Sequence, residues 1–313
     1  MRNFIWILLF ALLPAAAVAA DRPDWAFPPA PPGSAVATPP DDGKPKQVPG
    51  SSKFYTQAQI DSPMSPPDWF PDEHPPLPRV VAQGNGTTVR ACMGCHLTNG
   101  HGHPENSRLP GATAAYLARQ MADFKSGARK GAGATNMINF AKTITDEEIR
   151  AAAEYFAGLK VMRWTRVVEA GTVPKTYFKG TRRLQHPEGG TQPIGNRIIE
   201  VPQDLERVEM RDPHAGFVSY VPVGSVAKGE ALVTTGGAGK TIPCAICHGP
   251  ALKGLGDVPS LAGRSPGMIA RQLYYMQTGD RSGPAVALMK AVVDKLTGDD
   301  ILAISAYVAS LEP

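Results

Sequence analysis

The chain has 313 residues, 32 lysines and arginines against 28 acids, and four cysteines. A formal charge of +4 with no long basic run offers a nucleic acid nothing to track, so nucleic-acid binding is excluded from the expected partners. All four cysteines sit in two short motifs, whereas a disulfide scaffold would spread them to close long loops.

In chain order, residues 1–20 read as a secretory signal peptide. Arg2 is the positive start, Phe4 to Leu13 the apolar run and Ala15 to Ala20 the small-residue zone, with cleavage expected near Ala19 or Ala20. Pro14 interrupts the run before it reaches a comfortable membrane span. The mature chain is therefore expected in the periplasm, and its length is enough for two domains. Residues 21–79 form a proline-rich arm (DWAFPPAPPG, SPPDWFPDEHPPLP) that excludes long helices, while Trp25, Trp69 and Phe70 predict that parts of it pack on a domain.

The stretch ACMGCHLT (91–98) places Cys92, Cys95 and His96 together, and PCAICHGP (243–250) does the same with Cys244, Cys247 and His248. The two motifs stand 152 residues apart, and the same offset carries Ala118, Arg119 and Gln120 onto Ala270, Arg271 and Gln272. Gly127, Arg129 and Gly131 fall on Gly279, Arg281 and Gly283, and Thr145 falls on Thr297. A register held without gaps over some seventy residues predicts an internal duplication, with domains at 80–160 and 225–313. Each half reads as helical. TAAYLARQMADFKSG opens on a Thr cap and closes on Gly127, and TDEEIRAAAEYFAGLK carries a capping box at Thr145 and Glu148. VAKGEALVTTGG predicts an opening helix for the second half; VAQGNGTTVRA, its counterpart, is poor in helix formers. Residues 161–224 carry β-prone runs (RWTRVV, RIIEV, GFVSYVPVG) broken by glycine and proline, and predict a connecting strap of short strands.

Two thiols at i and i+3 can each add to one haem vinyl group as a thioether, leaving the following histidine beneath the iron; this is the c-type haem attachment pattern. The rivals fare worse. A thioredoxin-like pair expects a βαβ surround, a zinc site needs ligands drawn from both repeats, and a local disulfide gives the histidine no task. For the second axial position the repeat separates ten methionines. Met121 aligns with Leu273, Met276 with Phe124 and Met268 with Tyr116, as exchangeable core residues do; Met137 and Met289 alone recur at the same place. They are the expected distal ligands, and His/Met ligation raises the reduction potential and fills both axial positions. His101 and His103 align with Lys253 and Leu255 and are expected in an exposed loop, as are His74, His186 and His214 on the surface. Arg119, Arg129, Arg271 and Arg281 recur in register, either as ordinary helix charges or as partners of haem propionates.

Tandem CxxCH motifs, a helix such as AAYLARQMADFKSGAR, a recurring Met and a closing helix such as TDEEIRAAAEYFAGL resemble the di-haem class I cytochromes of the "c-four" type, over residues 91–160 and 243–312. The resemblance implies a mainly α chain with two tandem cytochrome c domains and two covalently bound haem c groups. Cys92, Cys95, Cys244 and Cys247 would be the anchors, and His96, Met137, His248 and Met289 the iron ligands. It also implies electron transfer between redox proteins such as a dehydrogenase and an oxidase, with membrane association only through a partner. The arm and the strap lie outside that pattern. A redox enzyme, a peroxidase or sulfur-compound oxidoreductase, is the alternative and requires one distal position to open. With haem propionates counted, the net charge is close to zero, so any steering of partners must come from local patches.

Overall fold

The computed structural model describes residues 22–27, 41–86 and 88–313, so the signal-peptide reading lies outside the described residues. Among its described residues the arm carries an α-helical turn, α1 (Gln57–Ile60), closed by a capping box from Thr56 and Gln59, and a 3-10 turn at Pro71–Glu73. Around it a small apolar cluster gathers Val48, Ile60, Trp69 and Phe70 with Met210 of the strap. Trp69 is 1% exposed and its Nε1 donates to the Met210 carbonyl at 2.7 Å, so the arm is pinned rather than free.

The first domain comprises α2 (Arg79–Gln83), α3 (Met93–His96), α4 (Ala114–Ser126), α5 (Thr135–Thr143) and α6 (Asp146–Ala157). The strap follows with β1 (Thr165–Glu169), β2 (Thr172–Pro174), β3 (Thr176–Lys179), β4 (Arg182–Gln185), β5 (Thr191–Pro193), β6 (Ile199–Pro202), α7 (Leu205–Glu209) and β7 (Phe217–Val221). The second domain holds α8 (Ser225–Thr235), α9 (Ala245–His248), α10 (Pro266–Thr278), α11 (Ala287–Val293) and α12 (Gly298–Ser310). The starts of α3, α4, α5 and α6 recur 152 residues later as those of α9, α10, α11 and α12. Local chemistry explains the match. Thr113 and Ser265 cap α4 and α10, Gly127 and Gly279 end them with φ of +80° and +76°, and Thr145 and Thr297 close capping boxes on α6 and α12. The opening helices differ as their sequences predict: α2 runs five residues against eleven in α8.

The strap clasps both domains. β1 pairs in parallel with β7, which pairs antiparallel with β6, while β2–β5 and β3–β4 are small antiparallel pairs. Ile198 and Val221 of this layer pack on Leu302 and Ala306 of α12, together with Trp25 of the arm. Toward the first domain, Trp164 Nε1 donates to the Gly102 carbonyl and Asn99 to that of Pro213. Among the described residues, no helix is long and apolar enough to cross a membrane.

Asp300 fastens α12. It closes the capping box on Thr297 and takes Lys240 at 2.5 Å and Lys228 at 3.4 Å, with only 2% of its side chain exposed. Burial pushes its carboxyl up, but Lys240 and Thr297 outweigh that and draw its pKa down to about 2. The folded value lies below the ordinary ~3.9, so the ionised group contributes stability that is complete above pH ~4 and lost as the pH falls toward ~2. Asp300→Asn is expected to cost about 2 kcal/mol at neutral pH. Thermal unfolding followed across pH should show the two proteins converging below pH ~3; a constant gap would refute the assignment.

Candidate functional site

Each motif is a single helical turn. His96 N donates to Cys92 O at 3.0 Å and His248 N to Cys244 O at 2.9 Å, so the two cysteines of each motif stand one turn apart. The chain then leaves both turns at positive φ, with Gly249 at +77° and Leu97 at +62°. Leucine in a backbone shape that suits glycine costs about 1–3 kcal/mol, a local strain held at the motif. Burial pushes the Cys92 thiol up to about 12 and that of Cys244 up to about 11. Neither is a thiolate at neutral pH, which removes the activated nucleophile that a thioredoxin-like pair requires.

The histidines are prepared as ligands. His96 Nδ1 donates to Ser107 O at 3.0 Å and His248 Nδ1 to Pro259 O at 2.8 Å, positions again 152 apart. A carbonyl can only accept, so each Nδ1 carries the proton and each Nε2 keeps a free lone pair. Burial draws the His96 pKa down to about 4 and lowers that of His248, keeping both rings neutral. Met137 and Met289 are each the third residue of their helices, α5 and α11, and both are half-buried. Met289 packs beside the second domain's core, whereas Met137 stands outside the first domain's apolar cluster. Met276 lies in the second domain's core and Met121 packs against the first domain's, as exchangeable packing residues do, while Met268 is buried outside both clusters.

Between the domains lies a layer of buried cations. The backbones of Arg129 and Arg281 form an antiparallel bridge, flanked by Lys130 N donating to Asp280 O and Ser282 N to Ala128 O. Arg129 donates to Gln120 at 2.9 Å and Gln272 at 3.2 Å; Arg281 donates to Gln272 at 3.1 Å, Gln120 at 2.9 Å and the Tyr116 hydroxyl at 2.8 Å. Residues i and i+152 meeting face to face mark a pseudo-twofold axis. Arg108 reaches Ser260 at 3.2 Å, and Arg264 donates to the Arg108 carbonyl at 2.5 Å. Among the described residues no carboxylate bonds to any of these four arginines, and Nε and Nη1 of Arg108 and Nε of Arg281 are buried without a partner. Burial draws the guanidinium pKa values of Arg108, Arg129 and Arg264 down. Burial raises the Tyr116 phenol, but Arg281, Arg129 and Arg264 outweigh it and lower it. The layer is short of negative charge.

A haem bound at these motifs meets both needs. The free Nε2 atoms would suit iron, and the two propionates that each haem carries would supply carboxylates of the kind the orphaned guanidinium donors lack. The sequence reading of the in-register arginines therefore divides. Arg129 and Arg281 form the layer, Arg119 pairs on the surface with Asp257, and Arg271, in contact electrostatically with buried Glu200, bonds the Ala26 and Pro104 carbonyls. Arg108 and Arg264 escaped it because their equivalents by offset are Ser260 and Ala112. His101 and His103 correct the expectation of an exposed loop. His101 is 2% exposed, its Nε2 accepting from Met162 N at 3.1 Å, and His103 lies beneath Phe217 of the strap. The strap covers a loop that the repeat alone leaves open.

Comparison with known proteins agrees with this geometry. Residues 79–156 match the family model described as cytochrome C oxidase, cbb3-type, subunit III. The thiosulfate dehydrogenase electron acceptor of Thiomonas intermedia is 28% identical over 225 residues, 70% of this chain and 78% of that protein. Cytochrome c4 of Pseudomonas aeruginosa is 25% identical over 70% of this chain and 83% of its own length. The cytochrome subunit of sulfide dehydrogenase from Chlorobaculum tepidum is 34% identical over 27% of this chain and 74% of its own. A solved thiosulfate dehydrogenase from Marichromatium purpuratum superposes with a TM-score of 0.53 at 28% identity, covering 75% of this chain; the chain spans about two fifths (39%) of that protein. Haem c is thus the cofactor and electron transfer the activity. The chain belongs to the c-type cytochromes, in the tandem-domain class I group that cytochrome c4 represents.

Proposed function

We propose that this chain is a periplasmic di-haem electron carrier that takes single electrons from a dehydrogenase, one acting on sulfur compounds being the class its relatives' names suggest, and passes them to an oxidase or another carrier. Cys92 and Cys95 would hold the first haem and Cys244 and Cys247 the second; His96 with Met137 and His248 with Met289 would bind the irons. Haem c supplies a one-electron iron couple. The protein's own part is to hold neutral imidazoles with Nε2 presented, to offer the thioethers of Met137 and Met289 as further ligands, and to spread buried positive charge between the domains. That charge favours the reduced state of any centre near it, since reduction removes a positive charge. The paired histidines, each held by a carbonyl at the same repeat position, carry this reading.

The test is the haem content of the purified protein together with the reduced optical spectrum before and after carbon monoxide. Two haems per chain and an unchanged spectrum are expected, because both distal positions are filled. A response at one haem would replace the carrier reading with that of an enzyme, and the less packed Met137 would be the ligand to examine.

A further inference from the structure

The offset of 152 also runs through the loops behind the two motifs. The turns 103–106 and 255–258 are counterparts, closed by Asn106 N donating to His103 O at 2.8 Å and Val258 N to Leu255 O at 3.0 Å. Each turn leads directly into the carbonyl that fixes a ring, Ser107 O for His96 and Pro259 O for His248. Both turns are gripped by groups of the opposite domain.

Arg119 of α4 donates to Asp257 at 2.8 Å, and the Thr113 hydroxyl that caps α4 donates to the same carboxylate at 2.7 Å. Ser260 N donates to Gly111 O at 3.2 Å. That N–H belongs to the peptide group whose carbonyl accepts from His248, so a chain of two hydrogen bonds runs from the ring into the first domain. The first motif's loop is held the other way. Arg271 of α10 donates to Pro104 O, and Arg264 to Arg108 O at 2.5 Å, so residues of the second domain bracket Ser107. Arg119 and Arg271 are themselves counterparts. They grip different groups because the strap intervenes. Ser265, the counterpart of Thr113, donates to Glu200 of β6 at 3.0 Å, and Arg271 is attracted to that buried acid. Glu105, the counterpart of Asp257, lies 3.6 Å from His103 Nδ1 instead.

We propose that Arg119 and Arg271 are crossed positioning residues, each reaching from one domain to steady the carbonyl that orients the other domain's iron-binding histidine. The proposal rests on the histidine ligation read above. A ring whose Nδ1–H bond is steady is a more basic ligand, and a more basic ligand favours ferric iron. The two braces differ in their exposure to salt. The Arg271 guanidinium bonds the carbonyls of Ala26 and Pro104, neutral acceptors that salt screens little. The Arg119–Asp257 ion pair, with side chains 42% and 49% exposed, is open to screening.

The test is proton exchange at the ring nitrogens, read by NMR on the full haem-loaded chain in its reduced, diamagnetic state. Arg271→Lys keeps the charge but loses the planar fork. It should speed exchange of the His96 Nδ1 proton about tenfold and leave that of His248 within about twofold. Arg119→Lys should do the reverse, and Asp257→Asn should reproduce it with no further effect in the double variant. Because the lysine variants keep the charge, the midpoint potential of the haem in the opposite domain should rise as its histidine becomes a poorer donor. In the wild type, added salt should hasten exchange at His248 more than at His96. Haem content and the Soret spectrum are checked first; should Arg271→Lys shed haem, the exposed pair Arg119→Lys and Asp257→Asn decides by the same criterion. Unchanged exchange, equal changes at both histidines, or a change confined to the mutated arginine's own domain would overturn the proposal. Ligated rings without the crossed pattern refute the brace alone. Ring signals of either histidine free of any haem-induced shift refute the ligation reading, and the proposal with it.

Discussion

Arg281→Met is expected to lower the haem midpoint potentials by on the order of 50–100 mV, the size a unit charge gives at roughly 10 Å in an effective dielectric of about 20. Arg281 is 6% exposed, faces no carboxylate of the protein and donates to Tyr116, Gln120 and Gln272 across the domain boundary. Its charge is thus available to compensate haem propionates, and its removal favours the oxidised state. Methionine also deletes three hydrogen bonds at the pseudo-twofold axis, which should loosen the domain contact by about 1–3 kcal/mol. Arg281→Lys separates the two effects: it keeps the charge and should retain most of the potential, but it cannot reproduce the planar fork. Redox titration of the three proteins measures this directly. Midpoints that do not move in Arg281→Met would mean that the guanidinium layer serves packing only.

Gly229→Ala should destabilise the second domain by about 3 kcal/mol. Gly229 lies in α8 where it crosses α12, and a Cβ there would stand 2.0 Å from the Ala303 carbonyl oxygen and 2.7 Å from Tyr307 Cβ. The nearest obstacle is helix backbone, which cannot swing aside as a side chain does, so the helices must part and open a gap beside Leu232 and Ile304. For a domain pair of this size the loss corresponds to about 6–12 °C in melting temperature. Calorimetry would show it, and an unaltered transition would mean that the crossing is looser than the structure has it. The first repeat has no such glycine, since position 77 is Leu77, part of that domain's core, and α2 is too short to make the same crossing.

What could be read in advance depended on how local each feature is. The cysteines and histidine of a motif need only one helical turn, and cap residues such as Thr145, Thr297, Gly127 and Gly279 act on their own helices. Those positions carry their meaning in the chain itself, and a register repeated at 152 residues reinforced it. The proline-rich arm was legible as an arm, and its tryptophans as anchors, because burying an indole is strongly favourable wherever a partner exists.

His101 and His103 could not be placed that way, because the strap that buries them comes from residues 164 and 217. Nor could Arg108 and Arg264, which gain their setting only when one domain docks on the other and have no twin in the repeat. The parallel pairing of β1 with β7, some fifty residues apart, is equally beyond a short-range pattern. By itself the sequence determined two haem motifs, their helices and their likeness to each other, all consequences of short-range chemistry. Beyond the unequal opening helices, only the tertiary structure decided how the arm and strap are shared between the two halves. The strap buries His101 and His103 beside the first motif, and buried cations meet where the domains join, because burial and desolvation depend on which distant surfaces come into contact.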